Sequence, residues 1–166
     1  MRQRKNDAHL DDVLRANSSD LLAYFGRRVP IPADAADLLS ELMIVAWKRQ
    51  GSIPTDDQDA RMWMFGIARN VLNGQRRSVS RRSALAGRLI DELSVDIPAV
   101  DDAEAAEVRA LIALLDDLDQ EIVRCVYWDG FSLAETAQLL GMRPATVRSR
   151  HARARDKLRD ALGAAD

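Results

Sequence analysis

Apolar residues recur along this chain at the three- and four-residue spacing of amphipathic helices, and no segment reads convincingly as a strand. The pattern predicts two helices within 10–29, one from Ala33 or Asp34 to Gln50, one over 60–77 and two over 103–128. The run from Asn17 to Asp20 can cap the second of these helices. Proline and glycine clusters at 30–32 and 51–54 separate the others. These elements predict an all-α fold.

Two further helices are predicted within 131–158, joined by a tight turn. Ser132 followed three residues later by Glu135 has the sequence of a capping box. Gly141 supplies the left-handed residue that ends the first helix, and Pro144 suits the first position of the next. Met142 can anchor the turn in the core. A short glycine-containing turn between two helices is typical of a DNA-binding helix-turn-helix.

The second helix of this pair has one apolar side and one basic side. At about 100° per residue, Val147, Ala154 and Leu158 share the inner side, with His151 at its edge. The outer side and its edges carry small residues and arginines, which suit entry into a DNA groove and contact with guanine or phosphate. A solvated basic helix is the alternative. The cap, the turn and the basic face occurring together favour DNA.

Charge is segregated along the 166 residues despite a net charge of only −2. Seven arginines and no acid lie in 61–88, eleven acids and one base in 91–121, and seven bases and one acid in 143–159. Two basic blocks separated by an acidic one predict two DNA-contacting modules. We expect a loose tail over 1–9, a helical domain over 10–78, a flexible linker over 79–102 with one short helix near 85–93, and the helix-turn-helix domain over 103–162.

Several classes of protein do not fit the sequence. The single cysteine, Cys125, allows neither an intramolecular disulfide nor a multi-cysteine zinc site, and we expect it to be a core thiol. No apolar run is long enough to span a membrane, and the first residues lack the apolar segment of a signal peptide. We therefore expect no membrane insertion and a cytoplasmic location. With no nucleophile–base pair, phosphate loop or metal-ligand spacing, we expect no catalytic residues, cofactor or metal.

Two blocks of the sequence, in this order, resemble the extracytoplasmic-function (ECF) group of sigma factors of bacterial RNA polymerase, within the sigma-70 family. Residues 33–49 and 60–77 resemble the family's second conserved region, with an acidic helix followed by a tryptophan-containing helix that has an Ile-Ala-Arg-Asn core. Residues 114–158 resemble its fourth region. The resemblance implies an RNA polymerase core and promoter DNA as partners. It also implies an anti-sigma factor, which commonly holds members of this group inactive.

The resemblance assigns roles to individual residues. In the family the acidic helix binds the polymerase clamp, which implies contacts by Asp37, Leu38, Glu41 and Leu42, although core packing is the alternative for the leucines. The next helix binds the non-template strand of the −10 element. This implies a flipped base at Asn70 and phosphates at Arg69, Arg76 and Arg77.

Three residues of the helix expected to bind the −10 element, Trp63, Phe65 and Gly74, need a separate interpretation. Trp63 and Phe65 could stack on bases. We assign Trp63 to the core because it shares a helical face with Ile67 and Val71, and leave Phe65 open. Gly74 departs from the family pattern, so the helix is expected to bend or stop early there.

The fourth region of the family reads the −35 element as duplex DNA. By position on the second helix, Arg148, Ser149 and Arg153 are the expected base or backbone readers. The expected phosphate contacts are Arg143, Thr146, Arg150 and Arg155.

Two alternatives compete with a sigma factor. A stand-alone helix-turn-helix regulator would use only residues 103–162 and would leave the acidic and basic helices of 33–77 unexplained. A sigma-like decoy that binds only an anti-sigma factor conflicts with the intact arginine faces.

Overall fold

The structure, a computed structural model, describes the backbone of residues 2–86 and 103–163, with side-chain burial described for 7–80 and 106–163. All regular secondary structure within these ranges is helical. The chain divides into two compact units, Met1–Leu93 and Ser94–Asp166. The predicted all-α fold with a C-terminal helix-turn-helix is confirmed.

The first unit contains three long helices. These are α1 (Arg2–Gly26), α2 (Pro32–Lys48) and α3 (Asp57–Ala86), with a short 3-10 turn at Gln50–Ser52 between the last two. Tyr24 lies at the centre of their core, in edge-to-face contact with Phe25 and Phe65 at ring-centroid distances of 5.5 and 5.4 Å. All three rings are fully buried. Aromatic pairs in this geometry stabilise a core beyond the area that they bury.

Helix α1 differs from the prediction of a loose tail and two helices, because it is one continuous element. Asn17 does not cap a second helix. Its amide donates to the Val13 carbonyl at 2.8 Å, and its side-chain oxygen accepts a hydrogen bond from Arg61 of α3 at 3.0 Å. Near the start of α1, the His9 ring lies 2.8 Å from the Pro54 carbonyl oxygen. The Asn17 side chain is thus satisfied by Val13 within the helix and by Arg61 of α3, and it does not compete with the helix backbone.

Helix α3 also runs further than predicted. It passes through Gly74 without interruption and continues to Ala86, so residues 79–86 are helical rather than part of a linker. The remainder of the predicted linker and of the short helix near 85–93 lies outside the described residues. A glycine inside a helix costs only about 1 kcal/mol relative to alanine. Burial of the neighbouring Val71 and Leu72 outweighs that cost.

The second unit contains α4 (Ala103–Ala113), α5 (Asp117–Tyr127), α6 (Leu133–Leu140) and α7 (Pro144–Gly163). Its core has two parts, both of which include α7. One part contains Ile112, Leu115, Val123 and Ala154, with Leu158 packed against them. The other contains Ile122, Ala137, Leu140 and Val147, with Leu118, Leu133 and Met142 packed against them. Cys125 is buried in α5 as predicted.

Candidate nucleic-acid interfaces

The turn between α6 and α7 is fixed by local interactions that the sequence predicts. Ser132 and Glu135 form the capping box, with hydrogen bonds of 3.2 and 2.8 Å. Gly141 is left-handed at φ 66°, and the N–H of Met142 donates to the Ala137 carbonyl at 2.9 Å. This 6→1 hydrogen bond is that of a Schellman motif. Pro144 is the first residue of α7, so the entry of the second helix is set within a few residues of the end of the first.

Helix α7 presents a polar outer face to solvent. Its inner residues Val147 and Ala154 are completely buried. Ser149 donates a hydrogen bond to the Thr146 carbonyl at 3.1 Å, which leaves its oxygen able to accept from a ligand. Six of the seven residues predicted to contact the −35 element are exposed along this face: Arg143, Thr146, Arg148, Ser149, Arg153 and Arg155.

Arg150, the seventh of these residues, is not a free cation on this face. Its Nη2 lies 2.8 Å from both carboxylate oxygens of Asp116, and its Nε lies 2.7 Å from Oδ1 of Asp119. The Nε contact is close but poorly aligned for a hydrogen bond, so it is best described as an ion pair. This arrangement does not support the predicted phosphate contact, because two carboxylates of the protein already compensate the charge of Arg150.

His151, expected at the edge of the inner side of α7, is buried. Only 8% of the residue is exposed, and its ring stacks on Tyr127 at a centroid distance of 5.7 Å. Burial, followed by the positive charge of Arg155, lowers the pKa of His151 below its ordinary value. These influences favour the neutral imidazole, which contributes to packing.

The second basic face lies on α3. Asn70, Arg76 and Arg77 are exposed and Arg69 is half-buried. A spacing of seven residues places Trp63, Asn70 and Arg77 in one row along the helix. The structure therefore presents a side-chain amide between an aromatic ring and a cation, which are the groups that bind an unstacked base and its phosphate.

The structure decides the role of Phe65, which the sequence left open, and places Trp63 nearer the surface than predicted. Phe65 is fully buried against Tyr24, which excludes it from base stacking. Trp63, which we assigned to the core, is only partly buried. The helical face shared with Ile67 and Val71 is correct, but Trp63 lies toward its rim, where the indole reaches solvent.

Helix α2 combines exposed acids with exposed apolar residues. Asp37 and Glu41 are exposed as a polymerase contact requires. Leu38 and Leu42 are 3% and 0% exposed, so these two predicted contacts are corrected to core residues. Ile44 and Trp47, which the sequence analysis did not select, are 55% and 62% exposed. They line a groove against α1 together with Leu10, Leu14 and Met43.

The described residues contain neither a membrane-spanning helix nor a metal-binding cluster. None of the helices in this part of the chain has the length and apolarity to cross a membrane. Among these same residues, histidine, cysteine and carboxylate side chains form no cluster of metal-binding size.

Comparison with known proteins accounts for both units. The family model for sigma-70 region 4 matches residues 105–158 of this chain. The ECF RNA polymerase sigma factor SigL of Mycobacterium tuberculosis is 33% identical over 122 residues, which cover 71% of this chain and 68% of SigL. This chain belongs to the ECF sigma factors of bacterial RNA polymerase. The RNA polymerase sigma factor NccH of Alcaligenes xylosoxydans xylosoxydans is 32% identical over 146 residues, covering 82% of this sigma factor and 78% of NccH.

A solved structure has the same architecture. The sigma factor RpoE of Bartonella quintana, determined in complex with the anti-sigma factor NepR, aligns with a TM-score of 0.70 at 25% identity over 95% of this sigma factor and 96% of RpoE. The role of this chain is therefore in transcription initiation, and sigma factors as a family are not enzymes. Because the likeness to SigL and RpoE extends well beyond residues 103–162, a stand-alone helix-turn-helix regulator is not favoured.

Proposed function

We propose that this sigma factor reads a promoter at two elements, with α7 on the −35 duplex and α3 on the −10 single strand. The observation that carries the proposal is the outer face of α7, where six polar or basic residues stand exposed on a helix-turn-helix. Arg148, Ser149 and Arg153 lie where they would reach base edges. Arg143, Thr146 and Arg155 would hold the phosphates on either side.

On α3 the row of Trp63, Asn70 and Arg77 supports single-strand binding. The Asn70 amide would bind the polar edge of a flipped base and Trp63 would stack beside it. Arg69 and Arg76 would neutralise the backbone. Each of these five side chains is at least partly accessible.

The outer face of α2 is the proposed site for the polymerase core. Asp37, Glu41, Ile44 and Lys48 follow one another at the spacing of a single helical face. Apolar side chains exposed together on one face mark interaction sites, and tryptophan is among the residues that most often dominate binding energy. Ile44 and Trp47 therefore join Asp37 and Glu41 in the proposed contact, while Leu38 and Leu42 support them from the core.

We also propose an anti-sigma protein as a regulator of this chain. RpoE, which shares the fold with a TM-score of 0.70, was solved in complex with the anti-sigma factor NepR. An anti-sigma protein bound to either basic face would block contact with the promoter, and one bound to the α2 face would block contact with the polymerase core. Binding to any of these faces would therefore prevent initiation.

The test is transcription from a candidate promoter by core polymerase with and without this chain, alongside sizing chromatography of the mixture. The proposal predicts a co-eluting holoenzyme and promoter-dependent transcripts. A chain that does not co-elute with core polymerase would refute it. Ile44→Ser should weaken co-elution, whereas Asp12→Ala, a change at an exposed acid of α1, should not.

Two substitutions separate the DNA-binding roles. Arg153→Ala should weaken duplex −35 binding and leave core binding intact, with Arg159→Ala as the matched control because Arg159 pairs with Asp156 at 3.1 Å. Asn70→Ala should impair open-complex formation more than core binding. Equal loss of both activities in the Asn70 variant would show that this residue is structural.

A further inference from the structure

Arg150 is held by two carboxylates from the start of α5. One guanidinium nitrogen, Nη2, donates to both oxygens of Asp116 at 2.8 Å, and Nε lies 2.7 Å from Asp119. The Arg150 side chain is 23% exposed and that of Asp119 only 6%. We refer to these three residues as the Arg150 clamp.

Both carboxylates of the clamp lie at the start of helix α5, and one of them caps the helix. Asp116 is the N-cap of α5, where its Oδ1 accepts the backbone N–H of Asp119 at 2.9 Å. Asp119 belongs to the first turn of the same helix. Because the Asp116 carboxylate cannot move without disturbing the cap of α5, the clamp ties α7 to α5 at a defined point. A buried carboxylate such as Asp119 also needs a cationic partner, since its charge would otherwise be left uncompensated in the interior.

The electrostatics of the clamp favour its charged form. The backbone N–H of Asp119 is the main influence that holds the pKa of Asp116 below its ordinary value, with burial opposing it and Arg150 acting in the same direction. Burial works to lower the pKa of Arg150, but the hydrogen bond to Asp116 and the charges of both carboxylates raise it overall. Asp116 and Arg150 therefore stay ionised at neutral pH.

The other basic residues of the α7 face behave differently. Within the part of the chain that the structure describes, Arg143, Arg148, Arg153 and Arg155 make no ion pair. Arg153 follows Arg150 by three residues, and Arg148 precedes it by about 200° of helical rotation. Because the three arginines belong to one helix, the rotation of α7 that the clamp holds also sets the direction in which Arg148 and Arg153 project.

We infer that Arg150 is a positioning residue for duplex recognition and not a phosphate ligand, because its clamp to Asp116 and Asp119 sets the rotation of α7 that brings Arg148 and Arg153 to the bases. This inference rests on the proposed reading of a duplex by α7. It assigns the two carboxylates of α5 to sequence discrimination, although neither reaches the outer face of α7.

The test measures binding of the full chain to a fluorescent duplex taken from upstream of a start site that the holoenzyme uses, and to a scrambled duplex, over a range of salt. The variants are Arg150→Gln, Arg150→Lys and Asp116→Asn. Asparagine caps a helix as well as aspartate does, so the last variant keeps the end of α5 while weakening the clamp. Lysine keeps the charge but cannot reproduce the arginine fork. Circular dichroism establishes that each variant is folded.

A positioning role predicts that all three variants lose discrimination between the two duplexes by about tenfold, with coupled and non-additive effects in the Asp116→Asn/Arg150→Gln double variant. The slope of log affinity against log salt should stay at the wild-type value. Arg155→Gln, which removes an exposed cation, should instead reduce that slope by about 0.9. A change in fold stability alone would weaken binding to both duplexes equally and leave discrimination unaltered.

Two results would overturn the inference. One is a slope reduced by about 0.9 in Arg150→Gln with full activity in Arg150→Lys and Asp116→Asn, which is the behaviour of a phosphate ligand. The other is unaltered discrimination in every variant. A wild-type chain that does not distinguish the duplexes at all, even as holoenzyme, would refute the duplex-reading proposal instead.

Discussion

Thr136, in the first helix of the helix-turn-helix, is a buried polar residue whose replacement should stabilise the protein. The residue is 0% exposed, and its hydroxyl has no hydrogen-bond partner among the described residues. Its backbone N–H donates to the Ser132 carbonyl at 2.8 Å, so only the side-chain oxygen is unsatisfied. Valine has the same branched shape with a methyl group in place of the hydroxyl, so Thr136→Val tests this oxygen alone.

The expected gain follows from two terms. A hydroxyl that loses its hydrogen bonds with water on folding costs about 1–3 kcal/mol. The added methyl group contributes about 0.8 kcal/mol of apolar burial. Both residues are β-branched, so the loss of side-chain entropy on folding changes little. Allowing for imperfect fit, we expect Thr136→Val to raise the free energy of unfolding of the second unit by about 1–2 kcal/mol. The thermal midpoint should rise by about 4–8 °C for each kcal/mol.

The assay must follow the second unit within the whole chain. Trp128 is the only one of the three tryptophans in the sequence that lies after residue 94. Urea unfolding of 5-fluorotryptophan-labelled protein, followed by the fluorine resonance of Trp128, therefore reports on this unit. Thr146→Val is the matched control, because Thr146 is exposed and its replacement should change stability by no more than about 0.5 kcal/mol.

A single outcome would refute this reasoning. The refuting result is a urea midpoint of the second unit that Thr136→Val leaves unchanged or lowers, while Thr146→Val changes it little. The Thr136 hydroxyl would then be hydrogen-bonded in the folded protein. The desolvation cost that we assign to it would then be absent.

Two further predictions concern acid stability and the first unit. The pKa of His151 is lowered in the folded protein, so the unfolded chain takes up the proton first as the pH falls. The second unit should keep its full stability above the ordinary imidazole pKa of about 6.5 and lose stability progressively below it. His151→Leu should reduce this loss in amide-exchange measurements on α5 to α7. In the first unit, Arg61 donates hydrogen bonds to Asn17 at 3.0 Å and to Asp20 at 2.8 Å. Arg61→Ala should therefore lower the free energy of unfolding of this unit by about 1–2 kcal/mol. The measurement is urea unfolding of 5-fluorotryptophan-labelled protein, followed by the fluorine resonance of Trp63.

Each of these predictions has an outcome that would contradict it. An acid-induced loss of protection in His151→Leu equal to that of the wild type would assign the loss to other groups. Arg76→Ala is the control for Arg61→Ala, because Arg76 is exposed on the same helix. Equal and small effects of both substitutions would mean that the contacts of Arg61 with α1 contribute no net stability.

Residues close in sequence were predicted well because their interactions are local. Ser132 and Glu135 are three positions apart, and Gly141 and Pro144 act through their own backbone preferences, so the termini of α6 and α7 could be read directly. Helical periodicity gave the inner side of α7 through Val147. It assigned Trp63 to the core and left Phe65 open, because spacing identifies a face but not where its centre meets the neighbouring helices.

The sequence by itself determined the helical class, the helix-turn-helix, the segregation of charge and, through its resemblance to a known family, the role in initiation. Only the tertiary structure decided which of the charged residues remain available to a ligand. Arg150 meets Asp116 across 34 positions and Arg61 meets Asp20 across 41, and no local pattern encodes such pairs. An arginine that finds a carboxylate when the chain folds has its charge compensated within the protein. Those without such a partner, such as Arg148 and Arg153, remain available to a ligand.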